Sequence, residues 1–200
     1  NQEHLSKLFS VLIGYGWKEF YPSKAKVIAV INHKGGVGKT TTTLNLGRAL
    51  VLSGFKVLVI DMDSQGNLSQ ALGVDNPDKQ VMHAIIDDEP LPVYAISQNF
   101  DLSPSDLTLA GRETEMIRMV LSELQLQRAI APKLSEYDYV LIDCPPALNI
   151  FTTSALIAAN SCLITLQPEI AALKGVKGLF DHIFQVQRRL NSGLHIEGVL

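Results

Sequence analysis

The sequence predicts an α/β fold, a three-layer sandwich around a mostly parallel central sheet. Three observations carry that expectation. Short apolar runs alternate with helical patterns along the chain. The first run, Val27–Ile31, enters a glycine-rich loop, Lys34-Gly35-Gly36-Val37-Gly38-Lys39-Thr40-Thr41, and a helix follows. A later run, Tyr139–Ile142, ends in Asp143-Cys144-Pro145-Pro146.

A length of 200 residues suits one domain with a substantial core. Hydrophobic residues make up 46% and charged residues 18%, which excludes a disordered chain. A net charge of −3 means that any nucleic-acid site must be a local patch. Every apolar run is too short to span a membrane, and no signal peptide is visible. Cys144 and Cys162 both lie in apolar runs and form no C-x-x-C, which suits buried thiols in a reducing cytoplasm. The chain starts at Asn1 and stops at Leu200 inside an expected strand, so it reads as a fragment of a longer protein lacking a C-terminal part.

Residues 1–25 stand apart as an N-terminal extension. Leu5, Leu8, Phe9 and Leu12 have helical spacing, and Gly14-Tyr15-Gly16 ends the segment. A packing or dimer-contact helix is expected there. Residues 26–200 form the main domain. Val27–Ile31 reads as a buried parallel strand. Thr42–Leu52 reads as a helix with apolar residues at 46, 49 and 50, closed by Gly54. Lys56–Asp61 is a second buried strand that runs into Met62-Asp63-Ser64-Gln65-Gly66-Asn67. Short helices are expected over Leu68–Leu72 and Val81–Ile86, and His83 has no partner at metal-ligand spacing.

Phe100–Ser105 reads as a short strand and turn. Met116, Val120, Leu124, Gln127 and Ile130 then predict one helix covering a sheet face. A helix over Ile150–Ala159 and a strand over Cys162–Leu166 follow. From Ala171 to Leu190, a helix carries a stripe of Leu173, Val176, Leu179, Phe180, Ile183, Val186 and Leu190. Lys174, Lys177, Arg188 and Arg189 lie on its other face, as a solvated face or a DNA contact.

The glycine loop has the context that phosphate binding requires: strand, loop, helix. Glycines at 35, 36 and 38 let successive backbone N–H groups turn inward, and the helix N-terminus adds partial positive charge. Lys39 would reach the β- and γ-phosphates, and the Thr40 hydroxyl would hold Mg²⁺. The usual pattern is broken at its first glycine, which is His33, and Lys34 is added. Asp143, at the end of its apolar run, has the form of a Walker B carboxylate that holds Mg²⁺.

The loop at 34–41, Asp61-x-Asp63-x-Gln65-Gly66-Asn67 and Asp143-x-Pro145-Pro146 together resemble the ParA/Soj family, within the ParA/MinD group of deviant Walker A P-loop NTPases. Pro104-Ser105-Asp106-Leu107 and Leu166-Gln167-Pro168-Glu169 extend the resemblance over residues 26–200. It implies an ATPase, weak alone, that uses ATP and Mg²⁺ and forms a homodimer in the ATP state. That dimer would bind non-specific DNA, answer to a ParB-type centromere-binding protein and serve plasmid or chromosome segregation. The resemblance further implies no membrane partner and a cytoplasmic, nucleoid-associated location. By the same resemblance Asp63 orients the attacking water, Asp61 joins Thr40 and Asp143 around Mg²⁺, and Lys34 acts across the dimer as an arginine finger does elsewhere.

Three other readings share the loop. A MinD-like membrane-cycling ATPase uses a C-terminal amphipathic helix, and Gln65-Gly66-Asn67 leans away from it. A biosynthetic ligase of the dethiobiotin synthetase type needs an acid-binding pocket. An iron–sulfur reductase of the nitrogenase iron-protein type needs exposed cysteines, which the placing of Cys144 and Cys162 argues against.

Overall fold

The computed structural model describes residues 25–167 and 170–200, with the side chains of residues 170–174 left out. The helix expected within residues 1–25, Pro168-Glu169 and the side chains of Leu173 and Lys174 lie outside the described set.

Among the described residues seven strands form one sheet: β1 (Lys26–Ile31), β2 (Val57–Asp61), β3 (Tyr94–Ser97), β4 (Phe100–Ser103), β5 (Tyr139–Asp143), β6 (Ser161–Ile164) and β7 (His195–Val199). Their order is β3-β4-β2-β5-β1-β6-β7. Every pairing is parallel except β3 with β4. The central strands β1 and β2 are buried at every position, which is why they read as unbroken apolar runs. The register sets Asp61 beside Asp143, and Val30 beside Asp143 on the other side. Thus the C-terminal ends of β2, β5 and β1 lie next to one another, the place where open α/β sheets bind ligands.

Helix α1 (Lys39–Leu52) covers one face. It starts inside the glycine loop, three residues earlier than the apolar pattern indicates. Its buried residues are Lys39, Thr43, Gly47 and Leu50, whereas Ala49 is exposed and Leu52 is 75% exposed. The reason is contact distance. A Cβ on Gly47 would come within 2.8 Å of the Phe100 ring, so the helix lies almost directly on β4. Its end is a Schellman turn, with Phe55 N–H to Leu50 O (3.1 Å) and Gly54 N–H to Val51 O (2.9 Å).

Short helices α2 (Asn67–Ala71) and α3 (Val81–Ile85) stand where the sequence predicts them. His83 is a cap there: its Nδ1 accepts the Gln80 N–H at 3.1 Å. The helix expected over Met116–Ile130 is instead broken. After the separate α4 (Thr108–Gly111), the region comprises α5 (Glu113–Arg118), a 3₁₀ turn (Ser122–Leu124) and α6 (Gln125–Ile130). Met119 is extended, Leu121 has φ +53°, and Val120 is 85% exposed. Met116, Leu126 and Ile130 still enter the core, so the spaced apolar positions hold while the backbone between them turns outward.

Helix α7 (Ile150–Ala158) is capped by Asn149, whose side chain accepts the N–H groups of Phe151 and Thr152. Helix α8 (Ile170–Arg189) buries Leu179, Ile183 and Val186. Leu190 lies beyond it, 53% exposed, and Lys177, Arg188 and Arg189 face solvent. The edge strand β3 was not foreseen, because its four residues alternate between half-buried and exposed and carry no apolar run. Cys144 and Cys162 are both buried and free, and burial pushes the Cys162 thiol up to about 12. Among the described residues no helix is long and apolar enough to cross a membrane.

Candidate functional site

The glycine loop leaves β1 at its C-terminal end and is built by its own backbone and by Asn32. The Asn32 side chain accepts the Lys34 N–H at 2.9 Å and donates to the Thr165 carbonyl, tying the loop to the end of β6. Gly36 (φ +74°) and Gly38 (φ +87°) take left-handed conformations that other residues rarely adopt. Gly38 is the N-cap of α1, with no side-chain cap and no acidic residue in the first turn. The first N–H groups of α1 are therefore left for an anion. Gln167 Nε2 donates to the Gly36 carbonyl at 3.1 Å, and Pro146 packs beside Gly35.

Lys39 is buried, and its Nζ donates to the Lys34 carbonyl at 3.1 Å across the loop. Burial lowers its pKa, while Asp143 and Asp63 oppose that shift with their charges. The ammonium is thus held inside the loop with two carboxylates nearby. Thr43 Oγ1 donates to Asp143 Oδ1 at 3.3 Å, and the Thr40 hydroxyl lies close by. The other Asp143 oxygen, Oδ2, is buried and has no hydrogen-bond partner among the described residues. Burial pushes the Asp143 pKa up to about 6, against the pull of Thr40 and Lys39. An orphaned carboxylate oxygen beside a threonine hydroxyl fits Mg²⁺. Among the described residues no group of three or more His, Cys, Asp or Glu could hold a metal alone. That suits an ion held by one or two protein oxygens and by phosphate.

Asp61 is fully buried. Its Oδ1 accepts the Asp63 N–H (3.1 Å), and its Oδ2 accepts both the N–H (3.0 Å) and the Oγ–H (2.7 Å) of Ser69. Burial, then the charge of Asp143 beside it, raises its pKa to about 7. Both oxygens therefore serve the protein's own loop. Asp63 is 8% exposed, and its Oδ1 accepts the Gln65 N–H at 3.0 Å. Lys34 is half-buried at the outer lip, and Thr41 is exposed.

The predicted residues Lys34–Thr41, Asp61, Asp63 and Asp143 thus meet at one rim of the sheet. Three further residues belong to it and carried no motif signal of their own, Asn32, Thr43 and Ser69, and Gln167 joins it from the Leu166–Glu169 segment. Of the three, Asn32 alone was findable, as a polar residue closing an apolar strand.

A family model described as an AAA domain matches residues 25–196. Sporulation initiation inhibitor protein Soj of Bacillus subtilis (strain 168) is 42% identical over 180 residues, which cover 88% of this chain and 71% of Soj. This chain belongs to the ParA/Soj family. A second relative in the ParA/Soj family, chromosome partitioning protein ParA of Myxococcus xanthus (strain DK1622), is 39% identical over 180 residues, 88% of this chain and 64% of that protein. Among solved structures, cobyrinic acid a,c-diamide synthase from Mycobacterium smegmatis, with bound ATP analogue and magnesium, has a TM-score of 0.85 at 36% identity. That match covers 88% of this chain and 74% of the synthase. Nucleotide and magnesium are thus bound in a structure similar to this chain.

Proposed function

We propose that this chain is an ATP-dependent dimerising switch for plasmid or chromosome partition. It binds DNA non-specifically in its ATP state and hydrolyses ATP when a ParB-type partner stimulates it. The observation that carries the ATPase reading is the convergence of Lys39, Thr40, Asp63 and the unpaired Asp143 oxygen at adjacent strand ends. Membership of the ParA/Soj family supports the partition role.

Phosphoryl transfer to water needs positioning and charge neutralisation more than covalent help from the protein. The Lys39 ammonium moves from the Lys34 carbonyl to the phosphates. Thr40 and Asp143 hold Mg²⁺, which when bound supplies positive charge against the phosphate oxygens. Asp63 orients the attacking water. Asp61 fixes the loop that carries Asp63 and stands next to the metal position. Lys34 reaches the phosphates of the facing subunit. The exposed cations Lys177, Arg188 and Arg189 offer a phosphate-backbone contact on α8.

ATP turnover measured alone, with DNA, and with DNA plus a ParB-type protein tests this reading. Turnover should be slow alone and rise with both. Turnover indifferent to DNA and partner would instead favour a biosynthetic ligase, the reading that the likeness to the diamide synthase keeps open.

A further inference from the structure

Ser69 sits beneath the loop that carries Asp63. It is 1% exposed on α2, and both capacities of its hydroxyl are used. The Oγ–H donates to Asp61 Oδ2 at 2.7 Å, and Oγ accepts the Ser105 N–H at 3.0 Å. Through its other oxygen Asp61 receives the Asp63 N–H at 3.1 Å. A chain of hydrogen bonds thus runs from the loop after β4, through Ser69 and Asp61, to the backbone of Asp63. The two loops also touch directly: a Cβ on Gly66 would stand 2.9 Å from the Ser105 carbonyl oxygen.

We propose that Ser69 is a positioning residue for Asp63, acting through Asp61. The inference rests on the reading of Asp63 as the carboxylate that orients water. Asp61 has three donors on two oxygens, and only one of the three is a side chain. Removing that hydroxyl leaves Asp61 Oδ2 with a single donor and strips the buried Ser105 N–H of its acceptor. The carboxylate then has a second way to turn, and the Asp63 N–H loses its fixed acceptor. The glycine loop is not part of this chain of bonds, so nucleotide affinity should be spared while turnover suffers. A small misplacement of a catalytic group can cost about 100-fold in rate.

The test uses the full-length chain with Ser69→Ala, Ser69→Thr and Asp63→Ala. Single-turnover ATP hydrolysis, ATP affinity by calorimetry and amide hydrogen exchange are measured for each. For Ser69→Ala the hydrolysis rate should fall about 10- to 100-fold with ATP affinity unchanged. The Asp63 amide should exchange faster, while the Ile142 amide in β5 should not. Ser69→Thr keeps the hydroxyl and should recover rate and protection together. If Thr does not fit the buried site, the exchange of Asp63 in Ser69→Ala decides alone. Unchanged Asp63 exchange overturns the proposal, as does a normal rate in Ser69→Ala when Asp63→Ala is inactive. An active Asp63→Ala overturns instead the reading of Asp63 on which the proposal rests.

Discussion

Gly175 of α8 lies against the imidazole of His33, so closely that a methyl group on it would overlap ring atoms Nε2 and Cε1. His33 stands where an ordinary phosphate loop has its first glycine, directly before Lys34. The loop entrance and α8 are therefore packed against each other. Gly175→Ala should push the ring and the loop start aside. We expect a loss of stability of about 1–3 kcal/mol, typical of overpacking, and weaker ATP binding. His33→Ala in that background should restore both, because the methyl then has room. Urea unfolding and calorimetry of the four members of this cycle measure the coupling. Simple additivity would show that the contact carries no strain.

Lys39→Ala should remove most nucleotide binding. The mutation takes away a buried ammonium that is already held inside the loop. A charge-assisted hydrogen bond is worth about 1.5–3 kcal/mol. Unchanged ATP affinity by calorimetry would refute the loop assignment.

Asp63→Ala should bind ATP and Mg²⁺ normally and fail to turn over. The phosphate cradle lies in a different loop from Asp63, so it stays whole. The mutant should collect as an ATP-bound dimer. Near-normal single-turnover hydrolysis would move the role elsewhere, with Asp61 the next candidate.

Asp143→Asn should trade function for stability. Asp143 and Asp61 have pKa values of about 6 and about 7, both raised above the unfolded carboxylate value. The folded state therefore binds more protons than the unfolded state in that range. Their contribution to stability is full below about pH 4 and is lost as pH rises through 6 and 7. Without nucleotide, the wild-type chain should lose stability over that window. The Asn variant should gain on the order of 1–3 kcal/mol at pH 8 and lose the Mg²⁺ dependence of ATP binding. Denaturation midpoints from pH 4 to 8, with and without Asn at 143, check the sign. An identical pH slope in both proteins would rule the explanation out.

Lys34→Ala should spare ATP binding by the monomer and abolish ATP-dependent dimerisation and stimulated hydrolysis. Two facing lysines repel unless phosphate charge lies between them, so the dimer should require nucleotide. DNA binding should follow the dimer and weaken steeply with salt. Light scattering of the Lys34→Ala, Asp63→Ala double mutant with ATP decides the matter. A stable dimer there would sink the cross-subunit role.

Much of the site was legible because parallel strands buried on both faces leave continuous apolar runs. Val27–Ile31, Val57–Ile60 and Val140–Ile142 each end at a residue that the site uses: the glycine loop, Asp61 and Asp143. Helix boundaries were less legible where tertiary contact overrode periodicity. The inner face of α1 is set by Gly47 on the Phe100 ring, a contact between residues 53 positions apart that no local pattern records. Likewise Met116 and Ile130 keep a helical phase across a segment that Met119 and Leu121 interrupt.

By itself the sequence determined the chemistry: which residues are glycine, lysine, threonine and aspartate, and in what order they follow buried strands. Those are local properties, since backbone freedom, charge and burial pattern are carried by neighbouring residues. The tertiary structure alone decided what each carboxylate faces. The register of β2 on β5 puts Asp61 beside Asp143; burial raises both pKa values, and the charge of Asp143 raises that of Asp61 further. Ser69 then claims the Asp61 oxygen, while one oxygen of Asp143 stays unpaired. Two aspartates at the ends of two similar apolar strands look alike in sequence. They come to different tasks because hydrogen bonds act over about 3 Å in space, whatever the separation along the chain.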